Sequence, residues 1–240
     1  MNKFIFDVDG TLTPSRGLID SEFKMFFNRF CSIQDVYLVT GSDKPKTVEQ
    51  ISKLTYNLAK RVYQCSGSDV YEGETSIHKS EWRLPTHAYT WLQDKLEESD
   101  FRIRTGNHIE QRTGMVNFSI VGRNADSIDR GKYVRYEQEH GERSIIADRF
   151  NMAFSNLQAT VGGDTGIDIG PRGGDKSQIL RDFDSNDTIY FYGDAMFENG
   201  NDYALKKAII DNDLGHAIQV TGWQDTWQHL IKLKEGQLAA

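Results

Sequence analysis

The order of apolar runs, helix-length stretches and turn residues predicts an α/β fold, a parallel-sheet core interrupted by an inserted α+β unit built on an antiparallel sheet. Two observations carry this. Toward both ends of the 240-residue chain, short runs of β-forming residues alternate with amphipathic stretches of helical length, the pattern of a parallel sheet with crossover helices. Between residues 82 and 170 that alternation gives way to short β-like pieces separated by Gly106-Asn107, Thr113-Gly114 and Gly162-Gly163, which are hairpin signals. The expected division is 1–81 with 171–240 for the core and 82–170 for the insert.

Phe4-Ile5-Phe6 is apolar, rich in β-formers and stopped by Asp7-Val8-Asp9-Gly10, so it reads as a buried strand ending in a turn. Asp20 caps a helix expected to run to Phe30, with Phe23, Phe26, Phe27 and Phe30 on one face. Val36–Val39 is the second strand, followed by a helix from Pro45 to Lys60 with proline in its first turn. Val62–Cys65 is the third strand, and Ser66–Asp69 a glycine-containing loop. In the insert, helices are expected at 86–98, 126–140 and 143–154, and β pieces at 101–104, 108–112, 115–121, 157–161 and 165–169. A helix from Lys176 to Phe183, strands at 188–192 and 217–220, and helices at 203–210 and 223–233 complete the core.

Composition narrows the function classes. A hydrophobic fraction of 38% without a long apolar run suits a globular chain and leaves no membrane helix to expect. Met-Asn-Lys leads directly into the first strand, and the two cysteines stand in unrelated contexts. A cytoplasmic protein without disulfides or a zinc site is expected. A net charge of −7 argues against nucleic acid as a main partner, while leaving room for a small anion held by a local cluster of cations.

Residues two apart on a strand face the same way, so Asp7 and Asp9 converge beyond the end of the first strand. In an open parallel sheet that is where ligands bind. Two carboxylates so close repel unless a cation lies between them, and a hard divalent ion such as Mg²⁺ with oxygen ligands meets the need. A calcium loop is excluded by Leu12 and Leu18 at the positions that need Gly and Glu. Thr40 and Ser42 follow the second strand, where either hydroxyl could bond a phosphoryl oxygen or simply shape a turn. Lys176 opens a helix after Gly173-Gly174-Asp175. Asp194 ends an apolar strand beside Gly193, as suits a metal ligand, and Asp202 tops the next helix, where it also reads as a cap.

The strings D-V-D-G-T-L-T at Asp7, the turn at Thr40–Ser42, G-P-R-G-G-D-K ending at Lys176, and G-D-A-M-F-E-N-G-N-D spanning Asp194–Asp202 together resemble the four motifs of the haloacid dehalogenase (HAD) superfamily. The resemblance implies a Rossmann-like, HAD-like core in which Asp7 is the nucleophile that forms an aspartyl-phosphate and Asp9 the general acid/base. Lys176 would hold charge at the nucleophile, and Mg²⁺ would sit on Asp7, the Asp9 carbonyl and Asp194, with Asp202 in the same motif. The stretch 109–130, I-E-Q-R-T-G-M-V-N-F-S-I-V-G-R-N-A-D-S-I-D-R, is similar to the cap of eukaryotic-type phosphomannomutases of subfamily IIB. Arg112, Arg123 and Arg130 fall on that family's phosphate-binding arginines, Arg16 on a further substrate contact and Asp168 on an acidic sugar contact. That family places the second-motif hydroxyl at Ser42, generic members of the superfamily at Thr40. Taken whole, the resemblance implies a Mg²⁺-dependent phosphohexomutase acting on mannose 1- and 6-phosphates, homodimeric through its caps. The alternative is a sugar-phosphate phosphatase on the same scaffold. The chain departs from the family at Gly166-Ile167-Asp168, where the family has S-F-D, at Gly173-Gly174, and at Glu198-Asn199-Gly200, where it has P-G-G.

Overall fold

The computed structural model describes residues 1–198, 200–234 and 236; Asn199 of the fourth motif lies outside them. The chain divides into two compact units, Met1–Lys79 with Gly174–Ala240 and Ser80–Gly173. In chain order the first unit begins with β1 (Asn2–Phe6), α1 (Ser21–Ile33), β2 (Asp35–Val39), α2 (Lys44–Ile51), α3 (Lys53–Leu58), β3 (Arg61–Gln64), β4 (Asp69–Glu72) and β5 (Thr75–Lys79). The second unit holds α4 (Thr86–Glu98), β6 (Ile109–Arg112), β7 (Met115–Phe118), α5 (Ser127–His140), α6 (Glu142–Ala153), β8 (Leu157–Gly162) and β9 (Gly166–Pro171). The first unit then resumes with a 3₁₀ segment Lys176–Asp182, β10 (Thr188–Gly193), α7 (Tyr203–Asp211), β11 (Gly215–Gln219) and α8 (Trp223–Lys234).

The first unit is a seven-stranded sheet in the order β11-β10-β1-β2-β3-β4-β5, parallel from β11 to β3. Alternation on β1 explains why both faces are covered. Phe4 and Phe6 point into one cluster with Phe23, Phe27 and Phe30 of α1 and Leu230 of α8, and Ile5 into another with Ile179, Phe191, Leu205 and Ile209. Phe6 packs edge-on to Phe27 at 5.1 Å and stacks on Tyr192 at 4.9 Å, geometries that aromatic quadrupoles favour. The chain moves one way from β1 through β2 to β3 and the other way from β10 to β11. The strand order therefore reverses between β1 and β10, and the carboxyl ends of these two strands face the crevice where such sheets bind ligands.

Three expectations of local structure are corrected, and one hairpin is found where the sequence predicted no element. The helix from Pro45 to Lys60 is two helices broken at Ser52, whose φ of 73° no helix tolerates. The stretch after β3 pairs as an antiparallel hairpin, β4 with β5, across Gly73. Lys176–Asp182 is 3₁₀ rather than α-helical. Residues 101–104 are not a strand, because Arg104 turns back to donate to Leu96 O at 2.8 Å and to Phe101 O, closing the otherwise unpaired carbonyl end of α4.

The second unit is the antiparallel sheet β6-β7-β9-β8. Its core joins Leu92 of α4, Tyr133 of α5 and Phe150 of α6 to Phe118 and Ile167 of the sheet. Among the described residues no helix is long and apolar enough to cross a membrane.

Candidate active site

Asp7 follows β1 directly, and its N–H still donates to Tyr192 O at 2.9 Å, so its position is fixed by the sheet. Its carboxylate is buried. Lys176 Nζ, also buried, donates to Asp7 Oδ1 at 2.5 Å and to Asp202 Oδ1 at 2.7 Å. Asp202 Oδ2 accepts from the Ala195 N–H at 3.1 Å, so both of its oxygens are committed. Asp7 Oδ2, by contrast, is buried and has no hydrogen-bond partner. Oxygens of Asp7, Asp194 and Asp202 lie within 4.8 Å of one another. Gly10 has a φ of 79°, and a Cβ there would overlap the Asp194 carboxylate, so the turn after β1 must be made by glycine.

When all three are ionised, three carboxylates against one ammonium leave two negative charges in a largely dry space. Burial raises the Asp7 carboxyl well above the usual range and Asp202 and Asp194 add to the rise, opposing the pull of Lys176. Burial, then Asp202, raises Asp194 as well. Burial alone would strip the Lys176 charge, but Asp7 and Asp202 outweigh it and hold the ammonium above its ordinary value. The orphaned Asp7 oxygen and the two-charge deficit fit a hard divalent cation with oxygen ligands.

Asp9 is half-buried and differently held. Its Oδ1 accepts from the Arg16 N–H at 2.6 Å and from Gln50 Nε2 at 2.8 Å, and Ser42 Oγ reaches its Oδ2 at 3.5 Å. The Arg16 backbone sits at φ 58° while its side chain is exposed. The Thr40 hydroxyl is buried and accepts the Ser42 N–H at 3.1 Å, so Thr40 shapes the turn that carries Ser42. Gln50 is a site residue that sequence reasoning missed. Its amide is fully enclosed on the buried side of α2, beside Thr47 and Ile51, and nothing in the local sequence marks it.

In the second unit, Arg112 ends β6 and Arg123 precedes α5, and both reach one carboxylate, that of Glu110. Arg112 Nε donates to Glu110 Oε2 at 2.7 Å and its Nη2 pairs with the same oxygen, while Arg123 Nε lies 3.2 Å from it. Arg130, on α5, has Asp164 at 3.9 Å. Asp168 on β9 accepts from Asn117 Nδ2 at 2.6 Å. A Cβ at Gly166 would come within 2.6 Å of that amide, so the serine that the related family carries here would displace Asn117.

A parallel sheet whose reversal point delivers Asp7 and Asp194, with a buried lysine between carboxylates, defines a HAD-fold enzyme. Solved structures share that fold: an IMP-nucleotidase of Plasmodium falciparum (TM-score 0.64, 15% identity, 98% of this chain and 68% of that one), and a haloacid dehalogenase-like hydrolase of Bacteroides thetaiotaomicron (TM-score 0.60, 14% identity, 97% and 99%). The family described as eukaryotic phosphomannomutase matches residues 23–235, and the chain belongs to it. Phosphomannomutase of Spinacia oleracea is 32% identical over 95% of this chain and 94% of its own length. Phosphomannomutase 1 of Dictyostelium discoideum is 31% identical over 95% of each.

Proposed function

We propose that the protein is a divalent-metal-dependent phosphohexomutase that interconverts hexose 1- and 6-phosphates, mannose phosphates being the substrates that its relatives' names point to. The observation that carries the reading is the Asp7 carboxylate, buried, anchored at one oxygen by Lys176 and unpartnered at the other, in a chain of this family. Asp7 attacks phosphorus, forming an aspartyl-phosphate as the phosphorus–oxygen bond to the donor breaks. Asp9 protonates the departing sugar oxygen and takes a proton from the acceptor hydroxyl in the reverse half-reaction. Gln50 and the Arg16 N–H fix the Asp9 carboxyl, and Lys176 offsets the charge on Asp7 and the transferring group. Asp7, Asp194 and the Asp9 carbonyl would hold Mg²⁺, which when bound screens the phosphate oxygens from the carboxylate. Asp202 belongs to the same cluster, with both oxygens already holding Lys176 and Ala195. Arg112, Arg123 and Arg130 would bind the phosphate that is not reacting, Arg16 would be a further substrate contact, and Asp168 would meet a sugar hydroxyl. The second unit is thus read as a substrate-binding cap, through which we propose a homodimer in the cytoplasm.

The test is a phosphorus NMR time course with Mg²⁺ and a bisphosphohexose primer. Mannose 1-phosphate should convert to the 6-phosphate. Release of inorganic phosphate alone would make the enzyme a sugar-phosphate phosphatase. Asp7→Asn should lower turnover by roughly 10³-fold or more.

A further inference from the structure

We propose that Glu110 is the resident counterion of the Arg112–Arg123 anion site: it stands where a substrate phosphate docks, tempers the grip on that phosphate, and takes the guanidiniums back when the sugar lets go. The inference rests on the phosphohexomutase reading above and concerns how that site binds and releases.

The geometry carries it. A single oxygen, Glu110 Oε2, accepts from the Nε edge of Arg112 and lies 3.2 Å from Arg123 Nε. Two guanidiniums that reach one oxygen have their charges focused on one small volume, and a phosphate with three oxygens fits such a focus better than a carboxylate does. The existing fit is imperfect at Arg123, whose Nε is buried 3.2 Å from the carboxylate yet has no aligned acceptor. The three side chains are between 30% and 39% exposed, so a dissolved anion reaches them. Glu110 also stands opposite Asn117 across β6 and β7, and Asn117 opposite Asp168 across β7 and β9. Directly opposed residues share a face. The counterion and the carboxylate proposed for the sugar hydroxyl therefore lie in one row, two strands or about 10 Å apart, a span that suits a hexose carrying a phosphate.

A mutase has a reason to keep such a carboxylate. Its bisphosphorylated intermediate must leave the anion site, turn and present the other phosphate to it. Two uncompensated guanidiniums would hold a dianion strongly and slow that exchange. A carboxylate waiting beside them lowers the barrier to release, because the vacated arginines are paired at once.

The probe is inorganic phosphate, titrated calorimetrically into the full chain without divalent metal. Glu110→Gln should bind it roughly three- to tenfold more tightly, as expected for removing partly exposed competing ion pairs, and the gain should vanish in Glu110→Gln/Arg112→Gln. In turnover, Glu110→Gln should lower KM and kcat together, where a merely structural loss would raise KM. In the unsubstituted protein the Nε–H resonances of Arg112 and Arg123 should shift together as phosphate is added. Phosphate affinity unchanged or weakened in Glu110→Gln, or Nε–H resonances that ignore phosphate, would overturn the assignment. Tightening in a protein that turns over no hexose phosphate would leave the counterion standing and remove the mutase reading.

Discussion

Lys176 shows how much of the site depends on one side chain. It is enclosed, and two carboxylates depend on it. Lys176→Met keeps the bulk and removes the charge, leaving Asp7 and Asp202 facing each other in a dry pocket. Breaking a buried ion pair from one side costs about 3–5 kcal/mol, so a large fall in the denaturation midpoint is expected together with loss of phosphoryl transfer; an unshifted midpoint would show that water or another cation reaches the carboxylates. The same pocket sets a pH dependence. The folded Asp7 carboxyl is raised from its ordinary value to about 7. Between pH 4 and 7 the folded chain thus keeps a proton that the unfolded chain has released, and stability falls as pH rises through that window. In metal-free buffer the wild type should lose stability relative to Asp7→Asn as pH rises, on the order of 4 kcal/mol in total, and Mg²⁺ should suppress the loss. Denaturant melts at several pH values with and without Mg²⁺ check this. Asp7, Lys176 and Asp194 were legible from sequence because each follows a strand or opens a helix in a recognisable string. Gln50 and Glu110 were not, because their importance lies in the partner that folding supplies.

At the scale of elements, the buried strands β1, β2, β3 and β10 could be read directly, since each is a short run of β-formers ending in polar turn residues. The hairpin β4–β5 could not. Every residue of β5 is exposed, so Thr-Ser-Ile-His-Lys shows no apolar alternation, and only pairing with β4 makes it a strand. The break between α2 and α3 is unmarked in the sequence for a related reason. Neither Gly nor Pro marks it, and Ser52 is forced to φ 73°, ψ 153°, a region that glycine alone enters freely. The forces holding it there are local: its N–H bonds Val48 O at 3.0 Å, and its hydroxyl lies 3.2 Å from the buried Thr55 hydroxyl and 3.5 Å from the Thr55 N–H. Ser52→Gly releases the backbone strain but loses the hydroxyl bond to Thr55 and a long, weak cap, so we expect a net gain of no more than about 0.5 kcal/mol. Ser52→Val, which adds a branched Cβ to the same backbone, should destabilise. Equal melts for both variants would mean that the bend is not strained.

At the scale of the molecule, both units are net negative, yet each gathers a local cluster of a different kind. The first gathers carboxylates around Asp7 and a cation deficit, while the second gathers guanidiniums around Glu110. Net charge alone, −7 for the chain, hides this division; the motif order revealed it, because acidic strings flank the insert and arginines punctuate it. The division predicts that the two halves of the proposed chemistry separate under mutation. In the proposed chemistry the aspartyl-phosphate forms with Asp7, Lys176 and Asp9, all in the first unit. Passing that phosphoryl group to a sugar rather than to water requires the sugar to stay bound by its other phosphate, and that is the work proposed for the arginines. Arg123→Gln removes one of the guanidiniums proposed for that phosphate and leaves the nucleophile untouched. Losing a charged hydrogen bond of about 1.5–3 kcal/mol corresponds to roughly 10- to 100-fold. We therefore expect conversion of hexose 1-phosphate to 6-phosphate to fall by that factor. Release of inorganic phosphate from a small aryl phosphate, which cannot use the arginines, should change less than about twofold. The ratio of the two rates, followed by phosphorus NMR, is the measurement. If both activities fell in parallel, Arg123 would be supporting the nucleophile or the fold rather than retaining the sugar, and the partition of roles between the units would be wrong.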